Sequence, residues 1–392
     1  MLKSSLGFHT FTITKSITLK EAQTLYTDFY KYKSVNIIPE KVPAAPEGAD
    51  DFTKSIYDRP PRYYTIVYPN KGKGIKWRLR FSHSSPKYFN YDQDDDRPCS
   101  VQAIINPKLL IGIKDYITAA NITCMEEAAT IFNCEAKRIS PILGWCRDYK
   151  FTRVDYCVNF DIKELDIKCS PEMMMALINR SDIPPHYELR TDYSKTAHRN
   201  VAPKYSFYLD SKSVTINIYW KWYQLQKNFP NCPDKDNSLS VIRFEVQYKY
   251  PKIYNLSHVK VNEFCNFMES YKRYLLSDET AEDVISSYFN KVIHRGDYYT
   301  LKSAQNIIER QGFNCNKERR LIATLTLINR CRSIAKTKDR LFKKDMAIFR
   351  RSLLDIDQLG INPVTIPKEW GIKYIPNLFR TYQELVGREN NR

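Results

Sequence analysis

Three stretches of this chain alternate strictly between apolar and polar residues, and that pattern limits the possible folds more than any other feature. In Phe151–Asp161 the apolar set is Val154, Tyr156, Val158 and Phe160, and the other set is Arg153, Asp155, Cys157 and Asn159. In Val214–Tyr223, Val214, Ile216, Ile218 and Trp220 alternate with Thr215, Asn217, Tyr219, Lys221 and Tyr223. In Val241–Tyr248, Ile242, Phe244, Val246 and Tyr248 alternate with Arg243, Glu245 and Gln247. A β-strand sends successive side chains to opposite faces, so each stretch reads as a strand with one face for a core and one for something polar. If the three strands neighbour one another in a single sheet, their polar faces converge.

The chain has 392 residues, enough for two or three domains, and 43% of them are hydrophobic, enough to bury a core. No run of about 18 apolar residues exists, so no transmembrane helix is expected. The first residues, Met-Leu-Lys-Ser-Ser-Leu-Gly, lack the apolar stretch of a signal peptide. Ten cysteines are scattered singly with no Cys-x-x-Cys spacing, which reads as reduced thiols of a cytoplasmic protein rather than a zinc site or disulfide frame. The net charge of +17 favours a polyanionic partner, and nucleic acid fits better than a membrane. Only 11 glycines are present, with neither a P-loop nor a dinucleotide fingerprint, which argues against ATP-driven and NAD chemistry.

Taken in order, residues 8–14 read as a first strand, and Thr18 with Glu21 reads as a capping box opening a helix from Leu19 to Tyr32. Strand patterns follow at Tyr63–Tyr68, Ile75–His83 and Val101–Asn106, with His83 on the apolar side of its strand. Asp94–Asp96 reads as a solvated turn. Pro107 opens a helix expected to reach Ile117, Met125–Phe132 is another, and Lys204–Leu209 forms a hairpin with Val214–Trp220. Beyond about Val259 the spacing becomes helical: Phe264, Phe267, Tyr271 and Leu275, then Thr280–Val292, Leu301–Gln311, Lys317–Ile334, a basic helix to about Leu354 and a last helix at Pro376–Leu385. The predicted class is α+β. A mostly antiparallel sheet with helices on one face spans residues 1–255, and an all-helical domain spans 256–392.

The polar faces carry Asp155 with Arg153, Tyr219 with Lys221, and Glu245 with Arg243. Each alone is ordinary: an Arg-x-Asp or Arg-x-Glu on a strand is often an ion pair on a solvated face, and 28 tyrosines make any one of them usually structural. Together they suit phosphodiester cutting. Two carboxylates, Asp155 and Glu245, suit Mg²⁺ or Mn²⁺, which prefer oxygen ligands. A tyrosine hydroxyl needs a nearby cation or base to become a nucleophile, and Lys221 can supply the charge for Tyr219. Tyr223, on the same expected face, is a second candidate nucleophile or a stacking residue. Arg78 and Arg80 can hold flanking phosphates.

Residues 313–351 hold twelve Lys or Arg against three acids. Helices at 301–311 and 317–334 joined through Gly312 have helix-turn-helix length. Arg319, Arg320, Lys343 and Lys344 are the candidates there for docking duplex DNA, with a solvated basic face as the plain alternative.

The ordered blocks Phe-Thr-Arg-Val-Asp-Tyr-Cys-Val-Asn-Phe, Ile-Asn-Ile-Tyr-Trp-Lys and Val-Ile-Arg-Phe-Glu-Val-Gln, with Ile-Ile-Asn-Pro-Lys-Leu-Leu-Ile-Gly upstream, resemble the core of rolling-circle replication initiators and relaxases. These include the gene II-like proteins of filamentous phages and the Rep-trans initiators of plasmids and integrative elements. The resemblance covers about residues 60–255. It implies a metal-dependent nick at an origin, a 5′-phosphotyrosyl intermediate and a free 3′-OH primer. Tyr219 would be the nucleophile, Asp155 and Glu245 the metal ligands or their supports, and Arg153 and Arg243 would join Arg78 and Arg80 as DNA contacts. It also implies single-stranded and duplex DNA as ligand, a host helicase and polymerase as partners, a cytoplasmic location and a homodimer as one assembly open to such a protein. Better-known relatives use a His-hydrophobic-His metal pair, and this chain has no His-x-His among six histidines. Either carboxylates carry the metal or the site is degenerate. A conjugative relaxase uses the same chemistry, and a DNA-binding regulator can keep the fold without it.

Overall fold

The structure, a computed structural model, describes residues 3–31, 36–39, 64–70, 74–80, 99–194, 199–259 and 275–390. His83, Asp94–Asp96, Phe264, Phe267 and Tyr271 lie outside the described residues. The protein is α+β. Its strands in chain order are β1 (Ser5–Ile17), β2 (Asn36–Pro39), β3 (Tyr64–Asn70), β4 (Ile75–Arg80), β5 (Cys99–Ile105), β6 (Lys150–Asp161), β7 (Glu188–Leu189), β8 (Asp192–Ser194), β9 (Arg199–Val201), β10 (Ser206–Asp210), β11 (Val214–Trp220), β12 (Val241–Lys249), β13 (Tyr298–Tyr299) and β14 (Tyr374–Ile375). Ten of them form one sheet in the order β2-β3-β4-β5-β1-β6-β12-β11-β10-β7, and β8–β9 and β13–β14 are separate two-stranded ribbons. Every pairing in the large sheet is antiparallel.

The three alternating stretches are neighbours: β12 lies between β6 and β11. Their apolar sets fall on one face and are buried, as are Ile75, Trp77 and Leu79 of β4. Helices close that face. Phe289 of helix Asp278–Val292 meets Phe160 and Phe244, with ring centroids 5.7 and 5.4 Å apart. Phe132 of helix Ile122–Ile139 meets Trp77 at 5.3 Å. The apolar cluster that begins on the sheet continues without a break into Val284, Phe379 and Tyr382 of the helical half. A second, smaller cluster, built on Ala304, Ile308, Leu321, Leu325, Ile356 and Ile361, packs helix Leu301–Glu309 against Cys315–Cys331.

Helix Leu19–Tyr30 carries the expected capping box: the Glu21 amide donates to the Thr18 hydroxyl, and the Glu21 carboxylate accepts from the Thr18 amide at 2.8 Å. Four expectations need correction. The helix opened by Pro107 ends at Leu110, because Gly112 turns with φ +86° and Asp115 caps the amides of Ile117 and Thr118. The strand expected to reach Tyr223 ends at Trp220, and Lys221–Asn228 is a helix. The helix from residue 315 stops at Cys331, where Arg332 turns left-handed, and the basic stretch beyond it divides into Ile334–Arg340 and Met346–Gln358. The helical half is not wholly helical, since it holds the β13–β14 ribbon.

The segment after Gly112 lies across the polar face. Phe8 and Ala120 exchange backbone hydrogen bonds at 2.8 Å each way. This close approach needs a glycine beside it, because a Cβ on Gly7 would stand 2.1 Å from the Ala120 carbonyl oxygen. Gly7→Val is expected to destabilise the protein by about 1–3 kcal/mol through this overlap, read as a lower denaturant midpoint with an unchanged slope. An unchanged midpoint would show that the segment is not seated on the strand.

Candidate functional site

The site grows from a break in alternation. In β1, Tyr156 pairs with Phe8 and Val154 pairs with Phe11, so His9 and Thr10 together oppose the single residue Asp155. This is a β-bulge, a device that re-aims side chains. Thr10 donates its hydroxyl proton to Asp155. His9 Nδ1 lies 3.2 Å from Glu245 Oε1 on β12. Arg153 grips Asp155 with Nε at 2.8 Å and Nη2 at 2.5 Å. Tyr219 on β11 donates its phenol proton to Glu245 Oε2 at 3.3 Å. One donor atom each from His9, Asp155 and Glu245 lie within 4.8 Å of one another.

The register explains the convergence. Gln247 faces Asp155, Glu245 faces Cys157 and Asn217, and Arg243 faces Asn159 and Tyr219. Asp155, Glu245 and Tyr219 therefore share the polar face. The donor set of one imidazole and two carboxylates fits Mg²⁺ or Mn²⁺. The two carboxylates are unlike. Burial and the nearby Glu245 charge push Asp155 above the usual carboxylate range, although Arg153 and Thr10 oppose this. Burial acts the same way on Glu245, but His9, Arg243 and Arg153 outweigh it and hold Glu245 down at about 2.

Tyr219 is only 6% exposed, and burial with the adjacent Glu245 charge raises its phenol well above the ordinary value. Lys221 is 3% exposed. Its amine stands 5.9 Å from the centre of the Tyr219 ring. Burial first, then repulsion from Arg243, lowers it to about 7. Lys221 reaches this place as the first residue of a helix rather than as the next residue of a strand. Tyr223 does not share Tyr219's face: it is 41% exposed and packs at a tilt against Tyr205, which in turn meets Trp220, a residue of the apolar set, edge-on.

The cations expected to meet DNA fall into three settings. Arg78, Arg80 and Arg153, with Lys150, line an open trough of about 580 Å³ on the polar face of β4, β5, β1 and β6; threonines and Gln102 fill its floor, and among the described residues no carboxylate lines it. Arg243 is buried at 1% exposure, donating to Asn159 Oδ1 at 2.8 Å and the Ile117 carbonyl at 2.5 Å. It thus anchors the segment that crosses the sheet rather than a solvated surface. In the helical half, Arg319, Lys343 and Lys344 are exposed. Arg320 is paired with Asp355 at 2.5 Å.

Sequence reasoning missed His9. Its signal is the doubled polar pair in Phe8-His9-Thr10-Phe11, where strict alternation would place one residue. It also missed a cavity of about 200 Å³ walled by His9, Lys221, Arg243, Lys108, Tyr116 and Phe229 among others.

No family model matches the chain, and no curated protein matches it. Among solved structures, a rolling-circle replication initiator protein from Geobacillus stearothermophilus matches at 9% identity over 66% of this chain and 80% of its own, with a TM-score of 0.26. A superposition that loose says nothing about individual residues. No helix among the described residues is long and apolar enough to cross a membrane.

The lowered Lys221 value has a thermodynamic consequence. Between about 7 and the ordinary lysine value the unfolded chain holds this proton more than the folded protein does, so stability rises with pH across that window; below about 7 the full cost of the buried charge is present. Lys221→Met is expected to gain roughly 1–3 kcal/mol at pH 6, with the gain shrinking towards zero near pH 10. Thermal melts of both proteins at the two pH values check this. An equal gain at both would mean that Lys221 is not charged in its pocket.

Proposed function

We propose that this protein is a metal-dependent, tyrosine-dependent DNA strand-cutting and rejoining enzyme of the rolling-circle initiator type, serving a plasmid, phage or other mobile element. The observation that carries the reading is the meeting of His9, Asp155 and Glu245 beside the Tyr219 hydroxyl on one sheet face. The resemblance of the three strand blocks to such initiators supports it independently.

In this reading the strand lies along the basic trough, its phosphates against Arg78, Arg80 and Lys150. Arg153 closes the trough at the site end and orients Asp155. His9, Asp155 and Glu245 would hold a Mg²⁺ or Mn²⁺ ion, which would supply Lewis-acid polarisation of the scissile phosphate. Glu245 holds the Tyr219 oxygen at the edge of that cluster. Lys221, its amine lowered by burial and by Arg243, takes up the phenol's proton, and Arg243 offsets the charge that develops. The Tyr219 oxygen forms a bond to phosphorus as the bond to the 3′ oxygen breaks, and that oxygen leaves as a 3′-OH with the proton returned from Lys221. The 5′-phosphotyrosyl link conserves the bond for rejoining. The exposed cations of the helical half hold duplex DNA alongside.

Incubation with supercoiled plasmids carrying candidate origins and Mn²⁺ or Mg²⁺ tests the chemistry. Nicked circles with DNA linked to Tyr219 are expected. Tyr219→Phe should lower nicking by at least a hundredfold while single-strand affinity stays within about twofold. Absence of any protein–DNA adduct under either metal would defeat the enzyme reading. Arg319, Lys343 and Lys344 changed together to Gln should lower the slope of log affinity against log salt for duplex by about 2–3, one unit or slightly less per lost phosphate contact. An unchanged slope assigns duplex binding elsewhere.

A further inference from the structure

We propose that the cavity beside Tyr219 is a pocket for a single nucleotide, which takes one residue of the bound strand with its base turned out of the stack. That the nucleotide comes from a bound strand rests on the strand-cutting reading; the pocket itself rests on its own walls.

Its size is the first observation. At about 200 Å³ it is smaller than a typical drug-sized site, but a cavity of about 150 Å³ already holds one aromatic ring. The walls are the second. Tyr116 and Phe229 stand with ring centroids 6.0 Å apart, and Leu109 and Leu225 add apolar surface. The third is a pair of unused polar atoms. Among the described residues, Arg243 Nη1 and Gln224 Oε1 are buried with no hydrogen-bond partner, although both residues line this one cavity. A buried unpaired donor or acceptor costs about 1–3 kcal/mol, so such a pair points to a ligand with complementary groups. A nucleotide offers both: a phosphate oxygen to accept from Arg243 Nη1 and a base-edge N–H to donate to Gln224 Oε1, whereas a phosphodiester group alone offers acceptors only.

Charge sets the orientation. Lys108 is already neutralised by Asp115 at 2.5 Å. The cations left to meet a ligand are Lys221 and Arg243, which also border Tyr219. The nucleotide's phosphate therefore belongs at the Lys221 and Arg243 end and its base among the rings. Extruding a base costs a few kcal/mol, and stacking on aromatic side chains returns about 1–3 kcal/mol per base. Such a pocket would fix which phosphate lies over Tyr219.

Titration of the protein with the four deoxynucleoside 5′-monophosphates, thymidine and inorganic phosphate, followed by calorimetry, tests this. At least one monophosphate should bind at least tenfold more tightly than phosphate or thymidine. Phe229→Ala, at a half-exposed position where folding is not at risk, and Gln224→Ala should each weaken it severalfold, while Tyr223→Phe, at an exposed position outside the cavity, should leave it within twofold. Phosphate binding as tightly as every monophosphate, or an affinity indifferent to both Phe229→Ala and Gln224→Ala, would overturn the proposal. Monophosphates that bind in this pattern to a protein that cuts no DNA would leave the pocket standing and remove the strand-cutting reading.

Discussion

The pairing of β12 between β6 and β11 is the constraint on which the site depends. Side chains on a strand alternate with period two, so a one-residue slip of β12 would send Glu245 and Arg243 into the core and bring Phe244 and Val246 to the polar face. What forbids the slip is the apolar side: Phe244 against Phe289, and Tyr248 edge-on to Tyr156 at 5.3 Å. The helical half thus shapes the site from the far side of the sheet. By covering the apolar face it fixes the register that aligns Asp155, Glu245 and Tyr219.

The polar face carries charges that few buried surfaces tolerate. Asp155, Lys221, Arg243 and Glu245 are all buried, and isolated charges there would be costly. Each is compensated locally except at one point. Asp155 has Arg153 and Thr10, Glu245 has His9 and the Tyr219 phenol, and Arg243 has Asn159 and the Ile117 carbonyl. Lys221 is buried facing Arg243, with the ring of Tyr219 and the charge of Glu245 to offset it in part, and its lowered value records first that burial and then that repulsion. Uncompensated charge of this kind collects at functional sites more often than in structural networks.

Much of this was legible in the sequence, and the gaps have physical reasons. The three strands, their faces and the placing of Asp155, Glu245 and Tyr219 on one face follow from alternation, because a half-buried strand leaves a period-two record. Lys221 and Tyr223 were misplaced because Lys221-Trp222-Tyr223 is too short to distinguish a period of 2 from one of 3.6; Lys221 and Leu225, both buried and four apart, carry the helical spacing. His9 was overlooked because its role comes from a bulge, and only the partner strand shows that His9 and Thr10 both oppose Asp155. Arg243 reads from sequence as a surface cation, since nothing local shows that the Ile117 carbonyl, 126 residues away, sits on it.

Along the polar face the signs of charge form a sequence of their own. The trough brings Arg78, Arg80 and Lys150, with no carboxylate among the described residues that line it. The cluster of His9, Asp155 and Glu245 follows, and beyond it the cavity brings Lys221 and Arg243. Arg153 belongs to both the trough and the cluster, and His9 to both the cluster and the cavity. Among the described residues, a polyanion laid along this path meets cations at both flanks, with Asp115 at one of them neutralised by Lys108, and two carboxylates in the middle. A divalent cation at that point reverses the repulsion, so under the proposed function the charge pattern makes productive seating of the strand depend on the metal, while the flanking cations favour binding without it.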